Sequence, residues 1–292
     1  MIFDIVYFKK YIIMKIGIDF TDINSYIDSM SKGLDDKLFF LNKINFKKDG
    51  SYLFVDFGCA DGVLLSTLYE IFSAKGIHAY YIGYDISEEM INLAKSKFNA
   101  VATNVIFTND WNEVEEIVKR YSAMESILIL SSVLHEVYSY GTTDDISTFW
   151  RRVTSGIFKY ICIRDMMCTK DIERPTDVTT LQVFKEYLGF ASTKSKLFGE
   201  FKERWGSVTS STKNFVHFLL KYRWQINWVR ELNENYFPFY VENILSIFGS
   251  ANYNINYMER FRVPFLDECF KKDFGVELED YTHAKIIFER SK

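Results

Sequence analysis

The sequence predicts an α/β fold: a doubly wound, mostly parallel seven-stranded sheet carrying a helical insertion. Short β-branched and aromatic runs alternate with longer helical patterns through the middle of the chain. After Asp165 the alternation gives way to helices alone, and strands return only near the C-terminal end. The 292 residues are 48% hydrophobic with three prolines, enough apolar material for a large core, which excludes a disordered or low-complexity chain.

Taken in order, residues 1–31 read as an N-terminal extension. Asp4, Lys9, Lys10, Lys15 and Asp19 interrupt its apolar runs, unlike a signal peptide, and Met14 is a second candidate start. Strands are predicted at 52–57, 80–84, 105–108, 126–130 and 160–163, with helices at 63–74, 88–98, 112–121 and 144–156 between them. The run "SILIL" is continuously apolar, as expected of a strand covered on both faces. From 176 to 230 helix follows helix, then 240–248 reads as a helix and "YNINYMERF" as a strand. Pro264–Phe274 reads as a helix with proline in its first turn. "HAKIIFER" supplies the last strand. The predicted body therefore spans 32–175 and 238–292, and the insertion 176–237. No apolar run reaches the ~18 residues of a membrane span. Four cysteines without a C-x-x-C pair fit a reducing cytoplasm.

Chemistry concentrates at the strand ends. In "VDFGCADG" two glycines, Gly58 and Gly62, sit where the first strand turns into the first helix, permitting a tight turn and close backbone approach to a ligand. A NAD-type G-x-G-x-x-G fingerprint is not met, because Cys59, Ala60 and Asp61 separate the glycines. Asp85 ends the second strand, where a carboxylate can accept hydrogen bonds from ribose hydroxyls or, with Ser87, cap the next helix. Asn109, Asp110 and Trp111 follow the third strand, placing a carboxylate and an aromatic ring where an adenine amino group and ring face could meet them; Asp110 also reads as a helix cap.

Over roughly Lys32 to Asp165 these segments resemble the class I, Rossmann-like S-adenosylmethionine-dependent methyltransferases. "VDFGCADG" resembles their first motif, with Ala60 where glycine is commonest; "GYDISEEMINLAK" resembles the second, "TNDW" the third and "LILSSVLHEV" the fourth. The resemblance implies S-adenosylmethionine as cofactor. Gly58, Cys59, Ala60 and Gly62 would hold its methionine part, Asp85 and Ile86 the ribose side, Asn109, Asp110 and Trp111 the adenine, with Ser131 beside them. Asp56 would orient the glycine turn or the cofactor ammonium.

Methyl transfer requires alignment of a nucleophile and, for a hydroxyl, removal of its proton. His135, after the fourth strand, is the candidate base, in a position resembling the "LHDW" histidine of small-molecule O-methyltransferases; Glu136 stands in place of that aspartate, and the alternative is a structural or substrate-contacting histidine. The chain has no Pro-Pro pair and no Pro-Cys, which argues against the amino-methylating and cytosine C5 enzymes of nucleic acids. His78, His217 and His283 are scattered, so no essential metal is expected.

Between Ser192 and Arg230 five lysines and three arginines face two glutamates, a surplus of +6 on a chain of net charge −4, with aromatics interleaved. This composition suits an anionic acceptor such as RNA, a nucleotide or another small molecule, or a protein partner. The competing reading is one amphipathic helix that buries Phe215, Phe218 and Tyr222 on one face while Lys213, Lys221 and Arg223 solvate the other. The expected activity is methyl transfer from S-adenosylmethionine to an oxygen or nitrogen of that acceptor. The alternative is a catalytically silent cofactor-binding module whose cap holds RNA or a protein.

Overall fold

The computed structural model describes residues 33–34, 36–98, 103–189 and 192–291. The chain divides into two compact units, Met1–Asn45 and Phe46–Lys292. The first contains a 3-10 turn over Phe39–Asn42, and the extension expected at residues 1–31 lies outside the described residues. The sheet, the helices between β5 and β6 and every candidate site residue belong to the second unit.

The strands are β1 (Ser51–Phe57), β2 (His78–Tyr84), β3 (Val105–Thr108), β4 (Glu125–Ser131), β5 (Tyr160–Met166), β6 (Tyr253–Phe261) and β7 (His283–Arg290). They form one sheet in the order β3-β2-β1-β4-β5-β7-β6. β1 pairs parallel with β2 and β4, β2 with β3, and β4 with β5. Only β7 runs antiparallel, between β5 and β6. Pairing carries β5 past its apolar run, since Asp165 and Met166 lie opposite Ala284 and His283 of β7.

The helices are α1 (Val63–Lys75), α2 (Glu88–Lys97), α3 (Trp111–Arg120), α4 (Leu134–Tyr140), α5 (Thr143–Val153), α6 (Val178–Gly189), α7 (Ser192–Trp205), α8 (Thr212–Lys221), α9 (Trp228–Asn233), α10 (Val241–Ser250) and α11 (Pro264–Phe274). Their starts follow local chemistry. The Ser87 hydroxyl accepts from the Met90 N–H to cap α2, and Thr142 with Asp145 forms a reciprocal capping box on α5. Alternate β1 side chains face opposite layers. Leu53, Val55 and Phe57 join one core with residues of α3, α5 and α10, while Phe54 packs its ring on Phe72 of α1 and Tyr81 of β2. The sheet is thus covered on both faces, which is why its strands read as continuous apolar runs.

The insertion has its own buried cluster, with Leu181 and Phe184 from α6, Phe201 from α7, and Phe215 and Phe218 from α8. Phe270 and Phe274 of α11 complete it, so the insertion packs onto the helix that joins β6 to β7. Among the described residues no helix is long and apolar enough to cross a membrane.

Candidate active site

The strand order reverses direction between β1 and β4, and in an open α/β sheet the crevice beyond the carboxyl ends of two such strands is where ligands bind. Here that crevice lies between the turn after β1 and the turn after β4. The two meet at Gly58, where an added Cβ would stand 2.9 Å from Val133 Cγ2.

The turn after β1 hangs from the end of β2, since the Gly58 and Cys59 N–H groups both donate to the Tyr84 carbonyl, at 2.8 and 3.0 Å. Its backbone is left-handed at Gly58 (φ 76°), Ala60 (φ 45°) and Gly62 (φ 78°). Glycine takes that conformation freely, whereas a residue with Cβ does so under strain. Asp56 is buried at the end of β1. Cys59 is buried, and burial pushes its thiol well up, so it packs rather than reacts.

Asp85 ties the turn after β1 to the start of α2. One carboxylate oxygen accepts from the Ala60 N–H at 2.9 Å and the other from the Ser87 N–H at 2.9 Å. The next residue, Ile86, is 87% exposed, an apolar side chain standing in solvent beside that carboxylate. Asn109 and Asp110 are exposed after β3, and Asp110 caps α3 by accepting from the Asn112 N–H at 2.9 Å. The ring-face role expected of Trp111 does not match its placement. Its indole is 2% exposed, packed among Phe57, Tyr84 and Phe158, with Nε1 donating to Glu115 at 3.0 Å. An apolar ring on the inward side of an amphipathic helix is drawn into the core, and only the flanking polar residues stay at the surface.

Across the crevice, the Ser131 hydroxyl is buried without a hydrogen-bond partner among the described residues, and Ser132 is left-handed at φ 57°. Arg164 of β5 holds this turn: its carbonyl accepts from the Ser132 N–H at 2.7 Å and its guanidinium donates to the Ser132 hydroxyl at 3.2 Å.

His135 stands on the first turn of α4, buried, with Nδ1 2.7 Å from Asp165 Oδ1. Asp165 is fully buried and also accepts from the Leu134 and Met166 N–H groups, both at 2.8 Å. His135 Nε2 lies 3.9 Å from Glu234 Oε2 of the insertion. Burial acts to lower the His135 pKa, but Asp165, Glu136 and Glu234 outweigh it and hold it above 6.5. The ring is thus held between two carboxylates, with Nδ1 bound to Asp165 and Nε2 turned toward Glu234. Asp165 and Glu234 carried no sequence signal, lying 30 and 99 residues from His135.

The basic surplus of the insertion is largely internal. Lys194 and Arg223 pair with Asp273, Lys213 with Glu173, and Arg230 with Glu136 and Glu234, all carboxylates from outside the Ser192–Arg230 segment. Lys196 pairs with Glu200, and Lys221 is fully buried against the carbonyls of Glu231 and Glu234. Phe201, Phe215, Phe218, Tyr222 and Trp228 are buried as the amphipathic reading expects, whereas Lys221, expected on the solvated face, is buried with them and Trp224 is exposed.

Neither a protein-family model nor a curated protein matches the chain. Among solved structures it is similar to an S-adenosylmethionine-dependent methyltransferase from Mesorhizobium loti at 15% identity, covering 84% of this chain and 93% of that one, with a TM-score of 0.45. A SAM-dependent methyltransferase from Anabaena variabilis is similar at 12% identity, with 90% and 85% covered and a TM-score of 0.45. One from Aquifex aeolicus is similar at 13% identity, with 93% and 99% covered and a TM-score of 0.41.

Proposed function

We propose that the protein binds S-adenosylmethionine in the β1/β4 crevice and transfers its methyl group to an oxygen or nitrogen of a small-molecule acceptor. One observation carries this reading. The left-handed turn at Gly58–Gly62, the Asp85 carboxylate bonded to it, and the exposed Ile86 and Asp110 all lie at the carboxyl ends of β1, β2 and β3, and Ser131 ends the neighbouring β4. These groups match the cofactor part by part. Asp110 would accept from the adenine amino group, Ile86 would cover an adenine or ribose face, Asp85 would accept from ribose hydroxyls, and the turn at Gly58 and Ala60 would take the methionine backbone.

The bound cofactor would supply a methyl group on a positive sulfonium sulfur, displaced in line by the acceptor with loss of the acceptor's proton and release of S-adenosylhomocysteine. This chain's residues position the two reactants, which is the larger part of such catalysis. The internal pairing of the insertion's cations supports a small acceptor over RNA.

Calorimetry with S-adenosylmethionine and S-adenosylhomocysteine tests the site. We expect saturable heat from the wild type and a loss of roughly 10- to 100-fold in Asp85→Ala, the scale of one or two hydrogen bonds to a charged group. No heat with either ligand would overturn the proposal. Formation of S-adenosylhomocysteine with an acceptor set of amines, phenols and carboxylates separates the enzyme from the silent module.

A further inference from the structure

We infer that His135 is a positioning residue whose ring ties Asp165 of β5 to Glu234 of the insertion and so fixes the α9 corner of the insertion against the turn that follows β4. The tie concerns the chain's own residues and holds whether or not the crevice takes S-adenosylmethionine.

Geometry carries this assignment. Both ring nitrogens face carboxylates, at 2.7 Å to Asp165 and 3.9 Å to Glu234, and the three side chains are at most 6% exposed. A buried carboxylate without a partner is costly, and the His135 ring stands between these two, with Arg230 as the further partner of Glu234. Glu234 also reaches the rest of the corner, because its other oxygen accepts from Arg230 Nε at 2.8 Å and the Tyr140 hydroxyl at 3.0 Å. Its backbone carbonyl accepts from Lys221 and His217 of α8, inside the insertion's core. One residue therefore joins that core to His135, and His135 joins it to β5. Arg230, bound in addition to Glu136 of α4 at 2.7 Å, forms the outer rim of the same joint.

The tie depends on protonation. Glu136 acts on His135 from its own helix, Asp165 from β5 and Glu234 from the segment after α9, all favouring the charged ring. The Tyr236 ring packs edge-on against it. His217 of α8 and His283 of β7 oppose its charge only when charged themselves, and burial keeps both well below 6.5. A base with its folded-state pKa raised stabilises the fold below its unfolded value, and that contribution is lost as pH rises through the raised value. Lys221, lowered by burial to about 7, also titrates near neutral pH. The readout must therefore resolve His135 itself.

The test is an NMR titration of the His135 imidazole in the full chain, wild type against Glu234→Gln, with hydrogen exchange of the segment 228–236 measured alongside. Glu234→Gln keeps the His135–Asp165 contact and the size of the side chain, so it is the milder change than His135→Gln. We expect the His135 midpoint to fall by about one unit, the lower end of the effect of a carboxylate at this distance, and protection of the segment to fall about tenfold. In the wild type, protection corrected for intrinsic exchange should fall as pH rises through the His135 midpoint. An unchanged midpoint in Glu234→Gln, or unchanged protection, would overturn the tie. Neither readout needs cofactor or turnover, so failure here is distinct from failure of the proposed function.

Discussion

At the scale of single residues, the turn after β1 shows how much a side chain of one carbon decides. Gly58 and Ala60 are both left-handed, but only the first is glycine. Gly58→Ala would add strain of about 1–2 kcal/mol and set a methyl group 2.9 Å from Val133, narrowing the crevice where its two walls meet. We expect a lower melting temperature and cofactor affinity reduced tenfold or more by calorimetry. Ala60→Gly runs the other way, relieving strain at φ 45° for a gain of up to about 1 kcal/mol with binding retained. A loss of stability in Ala60→Gly would show that the turn is set by contacts rather than by backbone preference. These positions were readable in the sequence because glycines and carboxylates within one strand-to-helix turn act on each other locally. Trp111 was misread for the opposite reason: its neighbours Phe57, Tyr84 and Phe158 come from three distant segments, and they decide which way the ring goes.

At the scale of elements, the insertion stands on an aromatic core and on Lys221. The α8 helix carries Phe215 and Phe218 into that core, and the same helix buries the Lys221 ammonium on the carbonyls at the end of α9. Cations near a helix C-terminus satisfy its orphan carbonyls. Lys221→Glu would aim a buried carboxylate at two carbonyl oxygens, and we expect a loss above about 4 kcal/mol in urea denaturation, the range of a buried unpaired charge. Lys202→Glu, on an exposed position of α7, should stay within about 0.5 kcal/mol. Equal, small effects would mean that Lys221 is not the cap of α9. Strands and most helices of the body were predicted to within a few residues, since hydrophobic period and helix caps mark them. The exception, α4, spans only seven residues and begins with the apolar Val133 at its cap position, so neither period nor capping chemistry announced it.

At the scale of the whole molecule, the question is where the charges are satisfied. A count along the chain gives the insertion segment a surplus of +6, yet the fold brings Asp273, Glu173, Glu136 and Glu234 to its lysines and arginines. Of the eight cations, Lys202 and Arg204 are the two with neither a carboxylate within ion-pair reach nor a buried carbonyl site among the described residues; they lie over the rings of Phe198 and Trp205. Polyanion binding draws on cations free to release counterions, and each phosphate neutralised on a single strand contributes a slope of about −0.7 in log K against log salt. Two such cations give a slope near −1.4 by that rule, too shallow for a nucleic-acid-binding surface. We therefore expect a fluorescent 20-nucleotide RNA to bind weakly, with anisotropy titrations between 50 and 200 mM salt giving a slope no steeper than about −2. A slope of −4 or steeper would require the internal ion pairs to open onto the RNA, and would return the acceptor question to nucleic acid. A shallow slope would favour the small acceptor of the proposed function.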